Sequence, residues 1–303
     1  MKCFSLTIAQ VVFCAFLFLI AAVLPCTAQG QAPPSISFTF TSFDYPGATY
    51  TEADGINNAG IIVGFYEVGT GVDYGFVRET NGTFEQFNYP GATDTKLHGI
   101  NDSSQMVGEY KDSAGVLHGF LFTPPSTYTA LNYPGAAGTA AAGINDSGQI
   151  VGSWQNSEGT YFGFSLVNGT YTDLVYPSSI NTLAFGVNST GVIVGSWEDS
   201  SDLDHGFILT AAVGGTYTDV NYPAADNTEI RGINDLQQVV GDYFGPGLPE
   251  SGWGGVPAHK EYISVNYPAA VATTVRDLTK ADHLVGHYTD SGGVTHGFLA
   301  VPK

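Results

Sequence analysis

The stretch FNYPGATDTKLHGINDSSQMVGEY, Phe87–Tyr110, contains an order of short motifs that the chain repeats six times. Each copy begins with a Tyr-Pro pair, and the six prolines, about 44 residues apart, are Pro46, Pro90, Pro134, Pro177, Pro223 and Pro268. In every copy a threonine stands five residues after the proline, the glycine of a Val-Gly pair stands 18 residues after it, and a second glycine stands 11 residues further on. Repetition at such a period is typical of solenoids and propellers.

Each repeat, called a module below, is predicted to contain four β-strands. In the first module the motif Thr-x-apolar-x-Gly-Ile-Asn predicts a first strand, and Asn57–Gly60 predicts a turn. Further strands are predicted over Ile61–Tyr66, Tyr74–Val77 and Thr83–Tyr89, because β-branched and aromatic residues there are bounded by Gly, Asn and Pro. No stretch shows sustained helical periodicity. The module is therefore predicted to be a four-stranded antiparallel meander.

Such sheets have two apolar faces, which stacking against further copies covers. Radial closure of six modules leaves only short edges, so the predicted fold is all-β, a six-bladed β-propeller in a single domain, residues 36–303. The last module lacks a fourth strand, whereas Ile36–Tyr45 is a fourth strand without a module before it. We expect this N-terminal strand to pair into the last blade and close the ring.

Residues 1–28 have the features of a signal peptide: Lys2 precedes an apolar run, Val11–Leu24, and small residues end at Ala28. Residues 29–35 then form a short linker. A transmembrane anchor is the alternative, but the run is shorter than the roughly 20 apolar residues that span a bilayer. A lipid anchor at Cys26 is a second alternative. The predicted destination is the periplasm or the extracellular medium, as a monomer without membrane insertion.

All three cysteines, Cys3, Cys14 and Cys26, lie in this leader, so the mature chain is expected to fold without disulfides. The chain of 303 residues carries only nine basic residues and a formal net charge of −19. Such an acidic surface repels phosphate groups, which argues against nucleic acid and anionic membranes as partners.

The motif order Tyr-Pro-Gly-Ala, Gly-Ile-Asn, Val-Gly-x-Tyr/Trp and His-Gly-Phe resembles the bacterial extracellular HAF repeat family over Phe38–Leu299. The last motif is present at His118, His205 and His296, whereas Tyr74, Phe162 and Ser251 replace the histidine in the other copies. The resemblance implies an exported protein and supplies no catalytic residues.

Two variable positions per module, between the repeated threonine and Gly-Ile-Asn, alternate with apolar residues. In a propeller the first strand lines the central channel, so these side chains are predicted to face it. The polar members predicted to form the site are Glu52, Asp54, Lys96, His98, Glu229, Arg231 and Arg276, Thr274 is a further polar member, and the apolar members are Ala140, Ala142, Leu183 and Phe185. A half-charged, half-apolar channel suits a small amphipathic ligand such as a sugar or an anionic metabolite, and mutual neutralisation of the charges is the alternative.

The acidic connection with Glu198, Asp199, Asp202 and Asp204 offers oxygen ligands for Ca²⁺, with a solvated acidic turn as the alternative. No other cofactor is indicated. The histidines of the His-Gly-Phe motifs are expected to be structural, because aromatic residues replace some of them.

We expect a non-catalytic binding or surface-interaction module whose partner is an extracellular glycan, a small ligand or a protein. The alternative is a propeller hydrolase or lyase that uses Glu52, Asp54, His98 and Glu229 as acid and base groups. A purely structural role in the cell envelope is a third hypothesis.

Overall fold

The structure is a computed structural model that describes residues 36–69 and 71–303. The predicted signal peptide (1–28), the linker (29–35) and Cys26 lie outside the described residues. The described chain is all-β with 24 strands. The part of the chain that the structure describes contains no helix long and apolar enough to cross a bilayer.

The strands follow the predicted modules. The first strand and modules one and two comprise β1 (Phe38–Phe43), β2 (Tyr50–Ile56), β3 (Ile62–Glu67), β4 (Asp73–Arg78), β5 (Phe84–Phe87), β6 (Asp94–Ile100), β7 (Met106–Lys111), β8 (Leu117–Thr123) and β9 (Thr127–Leu131). Modules three and four comprise β10 (Gly138–Ile144), β11 (Ile150–Gln155), β12 (Tyr161–Val167), β13 (Thr170–Leu174), β14 (Thr182–Val187), β15 (Ile193–Glu198), β16 (Asp204–Leu209) and β17 (Tyr217–Val220). Modules five and six comprise β18 (Asn227–Ile233), β19 (Val239–Gly245), β20 (Leu248–Val256), β21 (Glu261–Ser264), β22 (Ala272–Leu278), β23 (Leu284–Thr289) and β24 (Thr295–Pro302), with a 3-10 turn at Pro257–His259.

Modules two to five each form a separate four-stranded antiparallel sheet. In the last module β1 supplies the fourth strand. It pairs antiparallel with β24 from Phe38 opposite Pro302 to Phe43 opposite Gly297, as predicted for the N-terminal strand. A single parallel pair, Tyr50 with Thr295, connects this sheet to that of module one. The predicted four-stranded meander is therefore confirmed.

The fourth strand of module one is shorter than predicted. It ends at Phe87 instead of Tyr89, because Tyr89 already belongs to the following turn, where its carbonyl accepts the N–H of Ala92 at 3.1 Å.

The core lies between neighbouring modules. In each module the aromatic residue of the third strand is fully buried, and these residues are Phe76, Phe120, Phe164, Phe207, Trp253 and Phe298. The tyrosine of each Tyr-Pro pair stacks on the aromatic residue of the second strand with ring centroids 3.6–4.3 Å apart. One buried cluster joins Val285 of module six to Phe43, Ala53 and Phe76, so the last module packs against the first.

A chain of asparagines connects the modules at the ends of their first strands. Oδ1 of each accepts the N–H of the residue four positions on, and Nδ2 donates to a carbonyl of the next module; these residues are Asn57, Asn101, Asn145, Asn188 and Asn234. At the junction of the last and first modules, Asp277 Oδ2 accepts the N–H of Ile56 at 3.0 Å. The first strands thus contact one another in cyclic order, with β22 against β2.

Candidate functional site in the space between the first strands

A β-bulge in every first strand builds the candidate site. Each first strand shifts register at the second of its two variable positions, so this residue has no directly opposed partner on the second strand. A bulge bends the strand and re-aims its side chain. All six bulge residues line one cavity of about 410 Å³, called the main cavity below; they are Asp54, His98, Ala142, Phe185, Arg231 and Arg276.

The first variable position behaves differently. Ala140 and Leu183 line the main cavity, whereas Glu52, Lys96 and Glu229 are not among its lining residues. Lys96 points away toward β4, where Nζ lies 3.1 Å from Asp73 Oδ2 and 4.3 Å from the centroid of the Phe65 ring. Of the seven predicted polar residues, four therefore line the main cavity and three do not.

Alternating charges run along one wall of the main cavity. Arg276 forms an ion pair with Glu52, and its Nε lies 3.4 Å from Oδ1 of Asp54. The other oxygen of Asp54 lies 2.7 Å from Nδ1 of His98, whose Nε2 is 3.7 Å from Glu109 Oε2. Each cation in this row has a carboxylate on either side.

The neighbouring charges in this row shift the pKa values of its residues. Burial alone would lower the pKa of His98, but the hydrogen bonds to Asp54 and Glu109 outweigh it and raise that pKa to about 9. Burial alone would raise the pKa of Glu52, yet the Arg276 guanidinium outweighs it and holds this pKa below its usual range. His98 is consequently protonated, and Glu52 ionised, at neutral pH.

A second charged group lies in module five. Arg231 pairs with Glu229 and with Asp242, whose Oδ1 is 2.9 Å from Nε, and its guanidinium lies 4.5 Å from the centroid of the Phe185 ring. Burial raises the pKa of Glu229 to about 7 despite the opposing effect of Arg231. Glu229 therefore titrates near neutrality.

Two atoms of the charged row have no hydrogen-bond partner among the described residues. They are Oδ1 of Asp54 and Nε of Arg276, which lie 3.4 Å apart as an ion pair but are not hydrogen-bonded to each other. Both atoms have almost no exposed surface, although Asp54 and Arg276 line the main cavity. Buried polar groups of this kind are costly to leave unsatisfied.

The opposite wall is apolar. It is formed by Ala140, Ala142, Leu183 and Phe185 of the first strands, with Leu117 and Tyr161 at the edge. Cavities of a few hundred Å³ with apolar walls and a few convergent polar groups are typical of small-molecule sites.

Comparison with known proteins gives the fold. No protein-family model and no curated protein matches the chain. Among solved structures, a triple mutant of AofleA from Arthrobotrys oligospora is similar at 11% identity and a TM-score of 0.54, covering 88% of each chain. A point mutant of the Aleuria aurantia lectin, solved with α-methyl-L-fucoside, matches at 8% identity and a TM-score of 0.52, covering 86% of this chain and 93% of the lectin. The gluconolactonase XC5397 from Xanthomonas campestris matches at 9% and 0.52, covering 84% of this chain and 89% of its own.

The fold is a β-propeller. At this level of identity the likeness carries no information on activity. The propeller does explain why residues from six separate first strands meet in one cavity, since the first strands of a propeller surround its axis.

Several residues of the charged walls were not predicted from the sequence. Glu109, Asp242 and His287 follow the Val-Gly glycine on the second strand, directly opposite Lys96, Glu229 and Thr274. This position on the second strand varies between the modules as much as the two variable positions on the first strand. A comparison of the six modules that included the second strand would have identified it.

The acidic connection of module four is organised as a turn. Asp199 Oδ1 accepts the N–H groups of Ser201 (2.7 Å) and Leu203 (3.2 Å), and its Oδ2 lies 3.2 Å from Nε2 of His205. Within the described residues no group of three or more His, Cys, Asp and Glu side chains is arranged to hold a metal ion. Asp199, Asp202 and Asp204 are therefore not brought together.

The histidines of the His-Gly-Phe motifs have the same surroundings as His205. Each stacks on the aromatic residue of the second strand, with centroids 4.5–5.1 Å apart, and contacts an aspartate of the adjacent turn; they are His118, His205 and His296. This geometry supports the structural role expected for them.

Proposed function

We propose that this protein is an exported six-bladed β-propeller that binds a small, neutral, hydroxyl-bearing molecule in the main cavity without transforming it. Six modules in cyclic contact, with β1 in the last sheet, support six blades and closure by the N-terminal strand. Export and membership of the HAF repeat family rest on the sequence features of residues 1–28 and on the repeated motifs.

The observation that carries the proposal is the adjacency of a carboxylate and a guanidinium in the lining of the main cavity. Asp54 and Arg276 both line the cavity, and Oδ1 of the first lies 3.4 Å from Nε of the second. A carboxylate accepts hydrogen bonds, a guanidinium only donates them, and a hydroxyl group does both. A ligand hydroxyl can therefore bond to both side chains, and the apolar wall at Phe185 takes the carbon face of the same molecule.

The charges of the wall favour a neutral ligand over an anion. Arg276 is already shared by Glu52 and Asp54, and Arg231 by Glu229 and Asp242. An anionic ligand would have to compete with these buried carboxylates, and like charges in close contact are strongly unfavourable. A sugar-like molecule avoids this cost. The fucoside-bound lectin with the same fold makes glycosides a natural class to test first.

The hydrolase or lyase alternative has less support. Of its four candidate groups, only Asp54 and His98 line the main cavity, and they are bonded to each other at 2.7 Å. With its pKa raised to about 9, His98 is a poor general base at neutral pH. Glu229 titrates near neutrality as an acid catalyst would, but it forms an ion pair with Arg231 and is not among the residues that line the cavity.

The experiment is a binding screen by thermal shift and calorimetry. Methyl glycosides of glucose, galactose, mannose and fucose are compared with dicarboxylic acids, since a molecule that binds only the folded state raises the melting temperature. We expect glycosides and not acids to stabilise the protein.

Two tryptophan variants localise the effect. Ala140→Trp fills the main cavity and should abolish the shift, whereas Ala130→Trp, on the exposed face of β9, should retain it. Stabilisation by acids alone, or a glycoside shift that survives in Ala140→Trp, would overturn the proposal.

A further inference from the structure

A second cavity of about 290 Å³ opens beside the main cavity, between modules two and three. It is called the side groove below. The turn Ala114–Val116 lies on one side of it, and Ala137 and Gly138 lie on the other. Leu117, Ala140, Ser153 and Tyr161 line both cavities, so the two spaces are contiguous. A molecule held in the main cavity can therefore extend into the side groove.

The lining of the side groove is uncharged. Its largest apolar side chains are Val116, Leu117 and Tyr161. Of its polar residues, Gln155 already donates to the carbonyl of Gly159 at 3.1 Å. Val116 and Tyr161 are 40% and 39% exposed, so apolar surface here faces open space without a cover. An apolar occupant would remove this surface from water, which is favourable in proportion to its area.

Comparison of the modules shows that this apolar lining occurs only in modules two and three. Leu117 and Tyr161 lie two residues before the second repeated glycine. The corresponding residues of the other modules are all polar: Asp73, Asp204, Glu250 and Thr295. The rim around the cavity is thus apolar only in modules two and three, where the side groove opens.

We propose that the ligand is an amphiphile, with a hydroxylated head against Asp54 and Arg276 and an alkyl or aryl tail in the side groove along Leu117 and Tyr161. This inference rests on the proposed function, because it assumes that the head occupies the main cavity. It adds the ligand class: a glycoside or polyol with an apolar substituent, instead of a free sugar.

The test is a calorimetric series of alkyl β-D-glucosides and β-D-galactosides from methyl to hexyl, kept below their micelle-forming concentrations. Burial of each added methylene is expected to tighten binding about fourfold, equivalent to about 0.8 kcal/mol, until the groove is filled. Val116→Asp places a charge in the groove and should flatten this dependence on chain length.

Val294→Asp is the matched control. Val294 occupies the same turn position in module six and is also 40% exposed, but it lies away from the groove, so its variant should retain the wild-type dependence. Equal affinity along the series would refute the apolar tail while leaving the proposed head site intact. Tighter binding of disaccharides, with a flat alkyl series, would refute it in favour of a second sugar unit. No binding of any member would overturn both proposals.

Discussion

Replacement of His98 by glutamine tests the row of alternating charges at the main cavity. His98 lies between Asp54, at 2.7 Å, and Glu109, at 3.7 Å, and these carboxylates raise its pKa to about 9 despite its burial. The unperturbed value is about 6.5. Glutamine retains a donor for Asp54 but does not titrate. The variant therefore removes the proton equilibrium and keeps a side chain of similar reach.

The size and sign of the effect follow from this shift. A rise from about 6.5 to about 9 corresponds to about 3 kcal/mol of folding free energy. Because the folded state binds the proton more tightly, the stabilisation is fully present below pH 6.5 and is lost as the pH rises to 9. For a domain of this size the loss amounts to several degrees of melting temperature.

Urea denaturation between pH 6 and pH 9.5 measures the difference. We expect the free energy of unfolding of the wild type to fall by about 3 kcal/mol more than that of His98→Gln across this range. Burial alone would raise the pKa of Glu109, but the hydrogen bond to His98 outweighs it and holds this pKa below its usual range, so Glu109 stays ionised throughout. The difference between the two proteins therefore reports on His98. Parallel pH profiles for the two proteins would refute the charged row.

Two further predictions concern the fold. Asn145→Ala removes the turn bonds and also the bond from Nδ2 to the carbonyl of Asn188, which then keeps only the N–H of Gly191 as a donor. It should therefore cost about 1 kcal/mol more than Asn156→Ala, since Asn156 forms turn bonds only. Equal urea midpoints for the two variants would contradict the connecting role of the asparagines. Deletion of residues 1–45 removes β1 and uncovers β24, so the urea midpoint should fall well below that of a protein lacking residues 1–35; unchanged stability would count against β1 as the fourth strand of the last module.

The fold was largely predictable because six copies of the module show the same pattern of residues. Invariant spacing located the strands, and the unpaired strand at the N-terminus indicated where it would pair. The asparagines were predicted as turn residues, and their Oδ1 bonds confirm this. The bonds from Nδ2 to the next module were missed, because they depend on how closely neighbouring first strands approach.

The site was predictable only in part. Period-2 alternation placed both variable positions on one face, but the bulge separates them: Asp54, His98, Arg231 and Arg276 reach the main cavity, whereas Lys96 turns toward Asp73. A bulge is not visible in an alternating pattern, since it inserts one residue without altering composition. The side groove was not predicted, for a different reason. It is lined by residues of two modules, and these residues come together only when the modules pack.

The proposed binding site can be checked by a crystal structure of the protein with hexyl β-D-glucoside or the tightest-binding glycoside of the panel. We expect a ligand hydroxyl within hydrogen-bond distance of the side chains of Asp54 and Arg276, with the carbon skeleton against Phe185. A ligand bound between the outer strands of neighbouring modules, with the main cavity free of it, would contradict the proposed site.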